Sequence, residues 1–220
     1  MDTLKIDIVS DVVCPWCVIG FRNLKKAMQE LSKDMNFELS WKPYELHPEI
    51  PQEGYDKKLF MLQKFGNQSG DSSNRKQIEE IGRSLGFDFN FSKTERIPNT
   101  FLAHRLLWKA EQYQLQTELS EALFKAYFSE GLNIGSITVL AEIAGSVGMD
   151  KDNIINFLNS KEGGHETADL EMQFIEKSIG AVPTYFINNQ YILQGGQEPE
   201  TFVSFIKKII QKEKKNATIK

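Results

Sequence analysis

Two cysteines, Cys14 and Cys17, have the residue type and spacing best suited to chemistry in this chain. They are its only cysteines and they enclose Pro15 and Trp16. A C-x-x-C pair at the start of a helix places the first sulfur near free backbone N–H groups, which stabilise a thiolate. We therefore predict that Cys14 is a nucleophile that forms a mixed disulfide with its substrate, and that Cys17 resolves it.

The neighbouring residues set how reactive this pair is. Trp16 offers an apolar face but, unlike a histidine, no titratable positive charge. We therefore predict moderate rather than extreme stabilisation of the thiolate. Asp11, three residues before Cys14, is expected to close the loop rather than to point at the sulfur.

A C-x-x-C pair also occurs in zinc sites and in structural disulfides. A structural zinc needs four ligands, and the three histidines of the chain, His47, His104 and His165, are widely separated. A structural disulfide would close too short a loop to contribute much stability. We expect neither a metal nor another cofactor.

The elements around the pair are predicted to be strand, helix and strand. Residues 4–9 alternate between apolar and polar, which is typical of a strand. Apolar residues from 18 to 31 follow with helical spacing. A second alternating run, residues 37–41, ends at Pro43, so the order is βαβ.

Residues 55–160 keep an apolar period near 3.6, and we predict no strand among them. Four helices are predicted, around residues 78–85, 102–107, 119–126 and 137–144. Breaks are predicted at residues 66–70, 131–136 and 145–150. Ser136 and Asp150 are the expected N-caps of the helices that follow them.

The last part of the chain is predicted to form a helix, a hairpin and a helix. The apolar spacing of Ala168, Met172, Ile175 and Ile179 predicts the first helix. This helix should end at Gly180. Asn188 and Asn189 tolerate positive φ, so they are expected to form the turn of a hairpin between residues 184–187 and 191–193. Pro199 is expected to begin the final helix.

Three motifs in this order resemble the FrnE-like branch of the DsbA family. They are CPWC preceded by SDVV (residues 10–17), NTFLAHRL (residues 99–106) and VPT (residues 182–184). The resemblance covers about residues 5–205. It implies an α/β, thioredoxin-like fold with a large all-helical insertion: residues 1–54 and 161–220 form the thioredoxin-like domain, and residues 55–160 form the inserted helical domain.

The resemblance also implies a substrate site. Its expected members are Pro15, Trp16, Asn99, His104, Arg105, Val182, Pro183 and Gln197. Pro183 would follow a cis peptide bond and face the cysteines, while the backbone of Val182 would pair with an extended substrate. The residues alone leave simpler roles open: Asn99 capping its helix, His104 packing, and Arg105 pairing with a carboxylate of the helical domain.

Composition excludes several partners. A net charge of -4 gives no basic surface for nucleic acid or anionic membranes. Residues 1–7 lack the pattern of a signal peptide, and no apolar run is long enough to span a bilayer. We expect a cytoplasmic protein, in which paired cysteines usually serve chemistry.

The expected activity is therefore that of a thiol–disulfide oxidoreductase or disulfide isomerase. Its partners would be protein or small-molecule disulfides and thiols, with glutathione as a candidate. Two alternatives stay open. One is a glutathione-dependent isomerase or transferase similar to 2-hydroxychromene-2-carboxylate isomerases, which carry serine where this chain has Cys14. The other is a non-catalytic binding module on the same fold.

Overall fold

A four-stranded mixed sheet organises the chain, whose computed structural model describes residues 3–65, 71–177 and 179–218. The predicted break at residues 66–70 lies outside them. The strands are β1 (Thr3–Ser10), β2 (Asn36–Pro43), β3 (Tyr55–Asp56), β4 (Arg96–Ile97), β5 (Thr184–Ile187) and β6 (Tyr191–Gln194). The helices are α1 (Pro15–Leu31), α2 (Lys57–Phe65), α3 (Asp71–Ser84), α4 (Phe101–Glu111), α5 (Gln116–Lys125), α6 (Ile137–Ser146), α7 (Lys151–Asn159), α8 (Gly164–Glu176) and α9 (Pro199–Thr218).

The strands of the sheet lie in the order β2-β1-β5-β6. β1 and β2 are parallel and are joined by α1, whereas β5 and β6 add as an antiparallel hairpin. On one face Ile6 and Ile8 belong to the main core, which also contains apolar residues of α1 and α9. On the other face Val9 packs with Phe174 of α8. The predicted α/β, thioredoxin-like architecture is confirmed.

The helical segment, residues 55–160, packs against the core formed by the sheet. Trp41 of β2 contacts Phe21 of α1 and Phe124 of α5, with ring centroids 4.8 and 5.9 Å apart. The backbone N–H of Trp41 also donates to Gln116 Oε1 of α5 at 3.0 Å. Packing on β2 therefore fixes the helices against the sheet, while the division into two domains stays a prediction.

The prediction that residues 55–160 contain no strand is wrong. β3 and β4 pair with each other, Tyr55 opposite Ile97 and Asp56 opposite Arg96. Each strand has only two residues, too few to produce an alternating pattern in the sequence.

The predicted end of α8 is also wrong. The helix ends at Glu176, before Gly180. Met172 and Ile175 are exposed, whereas Phe174 is buried against the sheet. Ile179 reaches the same cluster outside the helix, where its N–H donates to the Phe174 carbonyl at 3.1 Å.

The predicted hairpin turn and one of the two predicted side-chain caps are confirmed. Asn188 and Asn189 have φ of 49° and 55°, as the predicted hairpin requires. Asp150 caps α7 by accepting from the Asn153 N–H at 2.8 Å. Ser136 holds the N-cap position of α6, but its side chain makes no capping bond.

Candidate active site

The cysteine pair lies where β1 leads into α1. Cys14 is the N-cap residue of α1, Pro15 is its first residue, and Cys17 lies in its first turn. The two cysteines are not bonded to each other. Cys14 is 5% exposed and Cys17 1%, so the second sulfur lies deeper, as predicted. Trp16 is 36% exposed beside them.

Two later segments surround the pair. The peptide bond between Val182 and Pro183 is cis, as predicted, and the Cys14 thiol donates to the Val182 carbonyl at 3.7 Å. The loop after β6 lies against Trp16: a Cβ on Gly196 would come within 3.2 Å of the Trp16 carbonyl oxygen. Gln197 belongs to this loop, and its side-chain amide donates to Gln194 at 2.7 Å.

Cys17 has polar neighbours despite its burial. Burial raises the pKa of the Cys17 thiol, and the adjacent Cys14 adds to this effect. The Ser10 hydroxyl and the backbone N–H of Asp11 act in the opposite direction, since they can donate to a thiolate. Ser10 and Asp11 therefore partly offset the effect of burial on the deeper thiol, although the Ser10 hydroxyl makes no hydrogen bond within the described residues.

The Tyr185 hydroxyl also lies near the pair and was not predicted from the sequence. It is buried without a hydrogen-bond partner in the described part of the chain. A Cβ on Gly20 would come within 2.3 Å of it. Burial raises the pKa of Tyr185, and its proximity to Cys17 and Cys14 adds to this effect. Gly20 thus leaves room for this hydroxyl one turn beyond Cys17.

Asp11 closes the loop before Cys14, as predicted, and it does so while fully buried. Its carboxylate accepts from the backbone N–H of Leu46 at 2.8 Å and of Val13 at 3.4 Å. The same carboxylate lies 3.4 Å from His104 Nε2, an ion-pair distance without the alignment of a hydrogen bond. Asp11 therefore joins the redox loop to α4.

His104 is 2% exposed beneath this loop. Burial lowers the pKa of His104, but the carboxylates of Asp11, Glu45 and Glu171 outweigh it, so the pKa is raised. Burial raises the pKa of Glu45 to about 7, with His104 opposing and the carboxylates of Glu171 and Asp11 adding. His104 thus lies buried beside three carboxylates, and a contact between His104 and substrate stays a prediction.

Asn99, just before α4, and Arg105, within it, line a cavity of about 550 Å³ together with Glu45. Asn99 Oδ1 accepts from the Phe101 N–H at 3.0 Å, so it supports the start of α4. Arg105 donates to four carbonyls within residues 157–162, at 2.7 to 3.3 Å. Backbone carbonyls therefore take the place of the carboxylate partner expected for Arg105.

The described residues, 3–65, 71–177 and 179–218, contain neither a candidate metal site nor a candidate membrane-spanning helix. No three His, Cys, Asp or Glu side chains among them are arranged to hold a metal ion. None of their helices is long and apolar enough to cross a membrane.

The DSBA-like thioredoxin domain family matches residues 5–207. The uncharacterized protein YwbO of Bacillus subtilis (strain 168) is 30% identical over 192 residues, which cover 86% of this chain and 90% of YwbO. These matches specify no branch, so the FrnE-like placement stays a prediction.

Solved structures share the fold at lower identity. A probable DsbA oxidoreductase from Streptomyces coelicolor superposes with a TM-score of 0.83 at 20% identity, covering 93% of this chain and 89% of that one. The cytosolic disulfide reductase DsbM from Pseudomonas aeruginosa, solved with GSH, superposes with a TM-score of 0.61 at 17% identity, covering 94% and 99%. The chain therefore belongs to the family of DSBA-like thioredoxin domains.

Proposed function

We propose that this protein is a cytoplasmic thiol–disulfide oxidoreductase or disulfide isomerase that works through Cys14 and Cys17. One observation carries the proposal: Cys14 begins α1, its sulfur lies 3.7 Å from the Val182 carbonyl, and Cys17 is buried behind it. A thiolate at a helix N-terminus is stabilised by the free backbone N–H groups and the helix dipole, which makes Cys14 the nucleophile.

The cycle exchanges two electrons without a cofactor. The Cys14 thiolate attacks one sulfur of a substrate disulfide, forming a mixed disulfide and releasing the other substrate sulfur as a thiolate. The Cys17 thiol then gives up its proton and attacks the Cys14 sulfur, and the substrate thiolate released in the first exchange takes up that proton. The second substrate thiolate leaves, and the protein ends as the Cys14–Cys17 disulfide while the substrate is reduced. The reverse sequence oxidises a dithiol.

The surrounding residues have distinct proposed roles. The backbone of Val182, before Pro183, pairs with an extended substrate segment. Pro15 and the exposed indole of Trp16 form the adjoining apolar contact surface. The Gln197 loop borders that surface because it lies against Trp16. Asn99 and Arg105, which line the cavity of about 550 Å³, are proposed to bound the substrate region on the side of the helical domain.

The proposed substrates are protein or small-molecule disulfides and thiols, and glutathione is the first to test. The structurally similar DsbM was solved with GSH, and DsbM is described as cytosolic, the location proposed here. A small disulfide is a suitable first substrate, because the first exchange requires only that one sulfur of the disulfide reach the Cys14 sulfur beside the Val182 carbonyl.

Trapping the mixed disulfide tests the proposal. We expect Cys17→Ser, incubated with oxidised glutathione, to retain one glutathionyl group on Cys14, because no second sulfur can resolve it. Cys14→Ser should retain far less, since Cys17 is buried. Equal trapping by the two variants would contradict the assigned roles. A wild-type protein with no reversible two-electron transition in graded glutathione buffers would contradict the activity itself.

A further inference from the structure

Asp11 contacts Cys14 through its backbone and the helices between β2 and β5 through its side chain. Its carbonyl accepts from the Cys14 N–H at 3.0 Å, and its backbone N–H lowers the pKa of the Cys17 thiol. Its carboxylate accepts from the Leu46 N–H and lies 3.4 Å from His104 Nε2. A displacement of this side chain would therefore move the carbonyl that holds the Cys14 backbone and the N–H that affects the pKa of Cys17.

The carboxylate of Asp11 is fully buried, so its negative charge needs a partner. His104 of α4 is the basic group that faces it. Acidic groups face His104 from three other elements: Asp11 from the β1–α1 loop, Glu45 from the segment after β2, and Glu171 from α8. Tyr127, in the π-helical turn Ala126–Glu130, senses the same carboxylate, since Asp11 adds to the effect of burial in raising its pKa.

This arrangement differs from ordinary helix packing. A histidine that only filled space would need no carboxylate, and a carboxylate that only capped the loop would need no histidine. Here the ion pair spans 93 positions of sequence and links α4 to the residue whose backbone holds Cys14 and affects the pKa of Cys17. Loss of the imidazolium leaves a buried charge beside the nucleophile, which disfavours a second negative charge on Cys14.

We propose that His104 is a positioning residue of the redox site: its imidazolium compensates the buried Asp11 carboxylate and thereby holds the backbone groups that Asp11 presents to Cys14 and Cys17. The helical segment thus regulates the reactivity of the thiol pair through one ion pair. This inference rests on the proposed thiol–disulfide activity.

The test is a double-mutant cycle read out on Cys14 reactivity. Four proteins are compared: wild type, Asp11→Asn, His104→Gln and the double variant. The alkylation rate of Cys14 by iodoacetamide is measured against pH, with peptide mapping to separate Cys14 from Cys17. His165→Gln is the matched control, because His165 is an exposed histidine on α8.

In the presence of Asp11 we expect His104→Gln to slow Cys14 alkylation at neutral pH about tenfold, which displaces the pH profile upward by about one unit. In the Asp11→Asn background the same change should have little effect, because no buried carboxylate remains to be compensated. The control should match wild type. An equal effect of His104→Gln in both backgrounds would overturn the proposal, since a purely structural role is independent of the Asp11 charge.

A second readout covers the case in which His104→Gln does not fold. The wild-type profile should contain a transition, as His104 loses its proton, that the Asp11→Asn profile lacks. Identical profiles for these two proteins would overturn the inference. Redox titration in glutathione buffers separates the two proposals: a wild-type protein that fails to titrate removes the proposed function, whereas normal titration with an unmoved His104→Gln profile removes only this inference.

Discussion

Replacement of Glu45 by glutamine should stabilise the protein at alkaline pH. The backbone N–H of Glu45 donates to Glu171 Oε1 at 2.5 Å, so two carboxylates lie close together. Glu45 Oε2 is buried and has no hydrogen-bond partner within the described residues. Burial, with the charges of Glu171 and Asp11 adding, raises the pKa of Glu45 from 4.5 to about 7 although His104 opposes it. An ionised Glu45 therefore destabilises the folded protein, and glutamine, which carries no charge, removes this effect.

The size and sign of the effect follow from proton linkage. Between pH 4.5 and about 7 the folded protein keeps a proton on Glu45 that the unfolded chain has lost. The free energy of unfolding therefore falls as pH rises through this window and stays reduced above it. A rise from 4.5 to about 7 corresponds to at most about 3.4 kcal/mol. Because the side chain is partly exposed, screening reduces this to about 1–2 kcal/mol.

Urea unfolding of wild type and Glu45→Gln at several pH values measures this effect. At about pH 8 the variant should be more stable by about 1–2 kcal/mol, and the gain should shrink toward about pH 5. Glu176→Gln, at an exposed glutamate of α8, is the control and should show no such gain. A Glu45→Gln protein that is less stable than wild type at about pH 8 would refute the reasoning, since it would mean that His104 stabilises the charged carboxylate.

Three further variants test packing and hydrogen bonding by urea unfolding. Gly20→Ala should cost about 1–3 kcal/mol because its Cβ meets the Tyr185 hydroxyl; Tyr185→Phe should recover part of this loss, and no recovery would place the clash elsewhere. Asp150→Ala should cost about 1 kcal/mol, through the lost cap to Asn153; an unchanged midpoint would contradict the cap. Arg105→Met should cost at least about 3 kcal/mol, because four carbonyls lose their donor; a loss below about 1 kcal/mol would contradict this accounting.

Local patterns predicted the elements that are themselves local. Alternation located β1 and β2, and Asn188 with Asn189 located the hairpin, because turn chemistry requires only neighbouring residues. The failures depend on distant partners. The apolar residues that marked α8 did not indicate its buried side chain, because Phe174 is buried by Val9 and by strand β5, which follows the helix in sequence.

The cysteine pair was predictable because its pattern is also local. The buried pair of Asp11 and His104 behind it was not predictable. Cys14 and Cys17 carry their own signal, and the family resemblance located Val182 and Pro183. Asp11 was identified as a loop residue, but its partner His104 was not. No periodicity or motif spacing indicates that two side chains so far apart in sequence share a buried charge.

Sheet topology explains why these groups meet. β1 and β2 are parallel, with Ser10 opposite Pro43, so the segments after them, which carry Asp11 and Glu45, leave from one edge of the sheet. β5 runs antiparallel to β1 with Thr184 opposite Val9, so the segment before it reaches that edge with Val182. The nucleophile, the substrate-facing backbone and the buried carboxylates thus converge through strand pairing. A change in β1–β2 register would therefore separate Asp11 from its supports and alter the thiol chemistry without touching either cysteine.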